Sequence, residues 1–166
     1  MCCLSGYPCP CGFKDVTGKT CRCSSLQIER YRHKISGPLL DRIDIHLHAL
    51  PLKTHDLIDA PMEESSALIK ERTTKARKIQ WQRFSGLPVL CNAQMESAHL
   101  RHFCTLTKDA RNILYAAMEE LKFSARAHDK LLKVSRSIAD LAGSETIKAE
   151  HIAEAVGYRS LDRATF

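Results

Sequence analysis

Four cysteines near the N-terminus form two C-x-C pairs, Cys9 with Cys11 and Cys21 with Cys23, and nine residues lie between the pairs. Zinc favours a tetrahedron of four thiolates, which two such pairs can supply. The surrounding residues 1–23 are rich in Cys, Gly and Pro, a composition typical of a loop or ribbon without its own core. The spacing predicts a structural zinc loop over residues 9–23.

Other interpretations of this cluster stay open. Cys2 and Cys3 are adjacent in the sequence and could compete as ligands. The four thiols could also be reduced surface groups without a metal, which would leave residues 1–23 without fixed structure. A catalytic zinc is disfavoured, because four protein ligands leave no open coordination position.

Composition limits the class of protein. The chain has 166 residues, 44% of them hydrophobic, enough for one ordinary core or two small ones. It carries 25 Lys and Arg against 19 acids, a net charge of +6, which favours an anionic partner such as nucleic acid or nucleotide. No apolar run approaches the roughly 20 residues that cross a bilayer, so we expect a soluble cytoplasmic protein with no membrane partner.

The first half alternates turns with short elements. Ser24 and Ser25 can cap a helix that Gly37 and Pro38 end. Residues 43–48 (IDIHLH) alternate apolar and polar side chains, which predicts a strand with its isoleucines and leucine on one face. Its two histidines are expected to form a polar face, since two ligands alone are too few for a metal site.

The second half has helical periodicity throughout. A long helix is predicted from Met62 to about Phe84, ended by residues 85–88 (SGLP). Residues 109–121 predict the next helix, Ser124 and Gly143 bound another, and a last one begins near Lys148. These helices are expected to form a compact domain.

The long helix is strongly basic. Its cations and one aromatic side chain could follow a phosphate backbone and stack a base, as single-strand binders do. The commoner explanation of such a run is a solvated helix face. The residues concerned are Lys70, Arg72, Lys75, Arg77, Lys78, Trp81 and Arg83.

Four segments resemble one family in order along the chain. They are residues 8–12 (PCPCG), 36–44 (SGPLLDRID), 124–141 (from SAR to IADL) and 158–163 (YRSLDR). Together they resemble the C-terminal part of Mg-chelatase-like AAA+ ATPases of the ComM (YifB-like) family. The resemblance implies a mainly α protein with three parts: residues 1–60 as the remnant of an α/β AAA+ core with a Cys-rich hairpin, 61–87 as a basic helical linker, and 88–166 as an α-helical lid.

The family resemblance also implies a function. Its members are hexameric ATP-driven motors on single-stranded or branched DNA, with ATP and Mg²⁺ bound between full-length subunits. Arg42 matches the arginine finger that reaches a neighbour's nucleotide, and Arg126 matches the sensor-2 arginine. The alternatives are an ion pair of Arg42 with Asp41 or Asp44, and a solvated surface charge at Arg126.

Two departures from the family bear on activity. Tyr7 stands where the family has its sensor-1 asparagine. The 166 residues contain no G-x-x-x-x-G-K-[ST] loop and no strand ending in paired acids. We therefore expect the missing ATPase core upstream of Met1 and no ATP hydrolysis by the chain alone.

Three other functions stay open. The chain could be a stand-alone, zinc-stabilised basic adaptor that binds nucleic acid or a partner subunit. It could also be an inactive remnant. Magnesium chelation is a further alternative, through the family's name only.

Overall fold

The computed structural model describes residues 3–14, 16, 18–49 and 64–159, and over these residues the protein is mainly helical, with seven α-helices and no strand. The predicted end of the 43–48 segment at Pro51 and the motif residues 160–163 lie outside the described residues. The described residues form two compact units: unit 1 contains those up to Arg42 and residues 48–49, and unit 2 contains residues 43–47 and 64–159. Within the described ranges, no helix has the length and apolar character that crossing a membrane requires.

Unit 1 contains two short helices, α1 (Ser25–Arg32) and α2 (Gly37–Leu40). The Ser24 hydroxyl accepts the Gln27 N–H at 3.3 Å, and the Gln27 side chain accepts the Ser24 N–H at 2.9 Å. This reciprocal cap satisfies backbone donors that a helix start leaves exposed. The predicted cap is confirmed, but α1 ends at Arg32, and Gly37 and Pro38 begin α2 instead of ending α1.

Unit 2 contains five helices and a 3₁₀ turn. They are α3 (Ser66–Arg83), the 3₁₀ turn (Asn92–Gln94), α4 (Ser97–Phe103), α5 (Lys108–Glu120), α6 (Ala125–Leu141) and α7 (Ala149–Gly157). The Ser124 hydroxyl caps α6 by accepting the Ala127 N–H at 3.1 Å, and Gly143 follows its end with φ +66°. Both predicted ends of α6 are therefore confirmed.

Helix α6 lies at the centre of unit 2, in contact with α3, α4, the 3₁₀ turn and α7. Its Leu131 and Ala139 are fully buried with Ile147 and Ile152. Full burial of each of the three larger side chains, Leu131, Ile147 and Ile152, contributes about 1.5–3 kcal/mol. Since these residues belong to one continuous cluster that also includes Phe84 at the end of α3, unit 2 has a core of its own.

A buried ionic network ties α3 to α6. The Asp140 carboxylate accepts from both Arg83 and Arg136, and from the Asn92 amide at 2.8 Å. Arg136 also donates to the Glu145 carbonyl at 2.7 Å. Buried charges are tolerated only with such partners. No local pattern in the sequence indicates that α3, predicted as a linker, is bound to the helical domain in this way.

The strand predicted over residues 43–48 is wrong. A strand needs a neighbouring strand to pair its backbone groups. Here the end of α7 binds these groups instead: the His46 N–H donates to the Tyr158 carbonyl at 2.7 Å, and Arg159 donates to the Ile43 carbonyl. The buried face is also reversed. His46 is 4% exposed, whereas Ile45 and Leu47 are 45% and 73% exposed.

The start of α7 makes unit 2 sensitive to pH. The Lys148 N–H donates to Nδ1 of the buried His151 at 3.1 Å, which requires a neutral imidazole. Burial lowers the pKa of His151 below its usual 6.5, against an opposing effect of Glu150. A lowered pKa means that the unfolded chain binds the proton more readily. The stability that His151 provides is therefore full above pH 6.5 and is lost as the pH falls through the folded-state pKa.

We expect the free energy of unfolding of the wild-type chain to decrease when the pH is lowered from 7.5 to 5. This decrease should exceed that of the His151→Gln variant by on the order of 1 kcal/mol, because glutamine keeps an acceptor that does not titrate. Urea unfolding followed by circular dichroism at both pH values measures this difference. Equal pH slopes for the two proteins would contradict it.

Candidate functional site

The first C-x-C pair forms a tight turn. The Gly12 N–H donates to the Cys9 carbonyl at 3.0 Å, and Gly12 has φ +78°, a conformation that glycine adopts without strain. The Lys14 N–H donates to the Cys9 sulfur at 3.4 Å. These two backbone hydrogen bonds hold Cys9 in place within the turn.

The structure brings the four predicted cysteines together. The Sγ atoms of Cys9, Cys11 and Cys21 lie 3.4, 3.7 and 3.6 Å from one another, and all four Sγ atoms, Cys23 included, lie within 4.8 Å. In a tetrahedron with metal–sulfur bonds of about 2.3 Å, the sulfurs are about 3.8 Å apart. Cys9 is buried and the others are half-buried. This cluster could hold a metal ion such as zinc.

The electrostatics of the cluster favour a cation. The Phe13 backbone N–H is the main group that lowers the pKa of Cys11, to about 6. A hydrogen bond with the Cys11 backbone lowers the pKa of Cys23, but its contacts with the Cys11 and Cys21 side chains and its burial outweigh this and raise it to about 12. One thiolate therefore forms easily and opposes the ionisation of its neighbour, a repulsion that a bound divalent ion would remove.

The remaining described cysteines do not join the cluster. Cys3 is exposed, Cys91 is half-buried, and Cys104 is buried in the core of unit 2. Burial raises the pKa of the Cys104 thiol to about 11, which keeps it neutral and unreactive. Cys2, the other possible competitor, lies outside the described residues.

Further contacts hold the cluster in place. Arg32 of α1 donates to the Pro8 carbonyl at 3.4 Å, and the Lys19 ammonium lies 4.7 Å from the centre of the Phe13 ring. Tyr7 packs on the turn so closely that a Cβ at Gly12 would come within 3.3 Å of its ring. Sequence reasoning missed Arg32 because a contact 24 residues away leaves no local pattern.

Arg42 lies at the end of α2 in unit 1. Its guanidinium donates to the Pro38 carbonyl at 2.7 Å, and its backbone N–H donates to the Leu39 carbonyl at 3.0 Å. The preceding Leu40 is buried, while the Arg42 side chain is exposed. The short helix thus presents an exposed arginine on an anchored backbone.

Arg126 lies in unit 2, in the first turn of α6, and is exposed. The Ser124 cap fixes the backbone there. A cation at this end opposes the helix dipole and gains nothing from it, so local stability does not explain the choice of arginine.

Most of the predicted nucleic-acid residues lie on exposed parts of α3. Lys75 pairs with Glu71 at 2.7 Å and Arg72 with Glu64 at 3.1 Å, so two of the cations are neutralised locally. Arg83 is bound to Asp140 in the buried network. Exposed on the outer face are Lys70, Arg77, Lys78 and Trp81, the last with 56% of its surface in solvent.

Known proteins match the chain along most of its length. A family model described as magnesium chelatase, subunit ChlI C-terminal, matches residues 63–159, and one described as magnesium chelatase, subunit ChlI, matches residues 1–57. Uncharacterized protein YifB of Escherichia coli K12 and competence protein ComM of Haemophilus influenzae are each 38% identical over 94% of this chain. An uncharacterized protein of Mycobacterium tuberculosis H37Rv is 32% identical over the same share. The chain spans about 30% of the length of each relative.

Proposed function

Because the chain belongs to the family of the magnesium chelatase subunit ChlI, we propose that it supplies arginines to the ATP sites between subunits of a ComM-type AAA+ motor. In this proposal the motor is a hexamer that acts on single-stranded or branched DNA. The name of one relative, competence protein, agrees with a role in natural transformation. The segments that bind the phosphates and Mg²⁺ come from full-length subunits, and the chain alone does not hydrolyse ATP.

The position of Arg42 is the observation that supports this proposal most. Its side chain is exposed, while a hydrogen bond to the Pro38 carbonyl and the backbone of α2 restrain it. Guanidinium is always charged and can donate two parallel hydrogen bonds to phosphate oxygens. An arginine finger needs this combination, because it stabilises charge that develops on the transferring phosphoryl group.

Arg126 is proposed as the sensor-2 arginine. It is exposed in the first turn of α6, and the unfavourable helix dipole there is consistent with retention for binding rather than stability.

The metal of the Cys9–Cys23 cluster is proposed to be structural zinc. Four sulfurs within 4.8 Å would fill the tetrahedral coordination shell of a zinc ion and leave no position for substrate. Zinc would fix the turn against α1, in the same unit as Arg42.

The test of the arginine proposal uses a chimaera in which this chain replaces the matching 30% of Haemophilus influenzae ComM, the host protein. The rate of ATP hydrolysis is measured for the chimaera and for the unaltered host. Loss of turnover on Arg42→Ala is the expected result. If the chimaera and its Arg42→Ala variant hydrolyse ATP equally fast, the proposal is wrong.

A second candidate function is a nucleic-acid-binding adaptor that needs no ATP. The outer face of α3 supports it, because Lys70, Arg77, Lys78 and the exposed Trp81 recur there at helical spacing. A cationic row beside an exposed aromatic ring suits a single strand, whose phosphates and bases it can bind together.

For this candidate, we expect Trp81→Ala to weaken binding of the chain to a single-stranded oligonucleotide about tenfold, the value of one stacked base. The double variant Lys70→Gln/Lys78→Gln should reduce the magnitude of the slope of log K for binding against log salt concentration by about 1.4. Fluorescence anisotropy with a labelled oligonucleotide measures both. Lys108→Gln, at the start of α5, is the control, and equal losses in all variants would exclude the α3 face.

A further inference from the structure

The segment from Phe13 to Arg22, beside the Cys9–Cys23 cluster, presents cations next to an aromatic ring. Lys19 and Arg22 are exposed, Lys14 is half-buried, and Phe13 is 41% exposed. The Lys19 ammonium lies 4.7 Å from the centre of the Phe13 ring. We call Phe13, Lys14, Lys19 and Arg22 the zinc-loop face. All four residues belong to unit 1, so the face lies within one compact unit.

Hydrogen bonds to the cluster sulfurs fix the backbone of this face. The Lys14 N–H donates to the Cys9 sulfur at 3.4 Å. Backbone hydrogen bonds from Phe13 and, to a smaller extent, from Arg22 lower the pKa of Cys11 to about 6. These contacts depend on where the sulfurs are held, and a metal bound by all four cysteines would hold them. Zinc would therefore preorganise the face, which lowers the entropy that a ligand loses on binding.

The surroundings of the face are cationic. Residues 1–34 contain six Lys and Arg against two acids. No described acid forms an ion pair with Lys14, Lys19 or Arg22. Four thiolates around one divalent ion retain negative charge, which is one reason for cations here. The sulfurs nevertheless take their hydrogen bonds from backbone N–H groups, and the Lys19 ammonium lies at the Phe13 ring. The cationic side chains are therefore available to phosphates.

We propose that the zinc-loop face binds a single-stranded nucleic acid. Phe13 stacks on a base, and the three cations bind the neighbouring phosphates. A single strand fits because its bases are free to stack, whereas the bases of a duplex already stack on one another. This role rests on the proposed structural zinc. It needs neither Arg42 nor ATP, and it is separate from the α3 face, which belongs to unit 2.

The first experiment locates the bound base on the full, zinc-loaded chain. An oligothymidine of about 15 nucleotides, long enough for a single-strand site, carries one 5-iodouracil in place of thymine. Under ultraviolet light this base crosslinks to an aromatic side chain stacked against it, and mass spectrometry of the digest identifies the residue. We expect a crosslink at Phe13. Crosslinks that occur only at other residues, such as Trp81 of α3, would overturn the proposal.

The second experiment measures affinity for the same oligonucleotide by fluorescence anisotropy. The Trp81→Ala background removes the exposed ring of the α3 face. In this background Phe13→Leu, which keeps an apolar side chain but has no ring, should weaken binding about tenfold, the value of one stacked base. Leu26→Ala, at an exposed apolar residue of α1 in the same unit, is the control. Equal affinities of the Phe13→Leu and Leu26→Ala proteins would contradict stacking at Phe13.

Salt dependence tests the cations of the face. The double variant Lys19→Gln/Arg22→Gln should reduce the magnitude of the slope of log K for binding against log salt concentration by about 1.4. Arg30→Gln/Lys34→Gln, which removes two other exposed cations of unit 1, is the matched control and should leave the slope nearly unchanged. Equal reductions would show that the net charge of unit 1 attracts the strand, and the face would lose its role.

An acidic polypeptide is the competing ligand. Polyglutamate offers the cations carboxylates but gives the Phe13 ring no base to stack on. It should therefore displace the labelled oligonucleotide much less effectively than unlabelled oligothymidine of the same charge. Equal displacement, together with no effect of Phe13→Leu, would identify a site for acidic proteins and overturn the proposal.

Metal content separates failure of this proposal from failure of the proposed structural zinc. Cys9→Ser, which removes the buried ligand, should lose zinc and bind the oligonucleotide no better than Phe13→Leu. If the wild-type chain holds zinc and Cys9→Ser binds as tightly as wild type, the metal does not organise the face and only this proposal is wrong. If the wild-type chain holds no zinc, both proposals fail. The arginine proposal is tested separately, by ATP turnover of the Arg42→Ala chimaera.

Discussion

We expect that removing zinc, the metal proposed for the Cys9–Cys23 cluster, exposes the backbone around the cluster and α1 while unit 2 stays folded. In the described part of unit 1 only Cys9 and Leu40 are buried hydrophobic residues, whereas Leu4, Phe13 and Leu26 are exposed. Hydrophobic burial therefore contributes little to the part of unit 1 that the structure describes. Structural zinc contributes on the order of 10 kcal/mol in small domains that depend on it, so it would be the main source of stability there.

We expect the chain purified in zinc to contain about one metal ion, and chelation to raise amide hydrogen exchange in residues 8–35 on the order of a hundredfold or more. Peptides from α6 should exchange at the same rate in both forms, because Leu131, Ala139 and Ile152 belong to a separate core. Metal analysis and hydrogen–deuterium exchange by mass spectrometry measure these quantities.

Matched variants make the metal test specific. Cys9→Ser removes the buried ligand and should reduce the bound zinc to near zero after dialysis, while Cys91→Ser, a half-buried thiol outside the cluster, should keep it. Zinc binds thiolates and releases their protons, and the pKa of Cys23 is raised to about 12, so affinity should increase with pH. If the amide hydrogens of residues 8–35 exchange at the same rate with and without metal, the cluster has no structural role.

The sequence predicted those parts of the fold that depend on neighbouring residues. Ser24 and Ser124 cap helices because their hydroxyls accept from N–H groups three residues ahead, and Gly143 ends α6 because it adopts a positive φ. The four cysteines of the cluster were equally accessible to sequence reasoning, because their spacing alone limits how they can meet.

Contacts between distant residues could not be predicted in this way. The alternation of residues 43–48 predicted a strand, but pairing depends on what lies beside the segment, and in this structure the end of α7 lies there. Likewise, nothing near Arg83 in the sequence indicates that Asp140, 57 residues later, binds it. Burial of His46, with its exposed neighbour Leu47, follows from the same tertiary contacts.

Arg42→Ala in the ComM chimaera should lower kcat for ATP by about a thousandfold or more, the effect of removing an arginine finger. Arg42→Lys should restore little of this loss, because an ammonium group cannot donate two parallel hydrogen bonds to phosphate. KM for ATP should change far less, since the phosphate-binding segments of the host subunits remain. Steady-state ATP turnover with a coupled phosphate assay measures all three.

Tyr7 has to be controlled in the same experiment. We expect Tyr7 to occupy the position of the family's sensor-1 asparagine, so Tyr7→Asn should raise kcat and provides the background in which the loss at Arg42 is largest. Arg30→Ala, an exposed arginine of α1, is the matched control and should leave kcat unchanged. If the Tyr7→Asn chimaera assembles but hydrolyses no ATP, while unaltered ComM is active in the same assay, this chain does not complete an ATP site. If it hydrolyses ATP and Arg42→Ala matches Arg30→Ala, the exposed arginine at the end of α2 is not the finger.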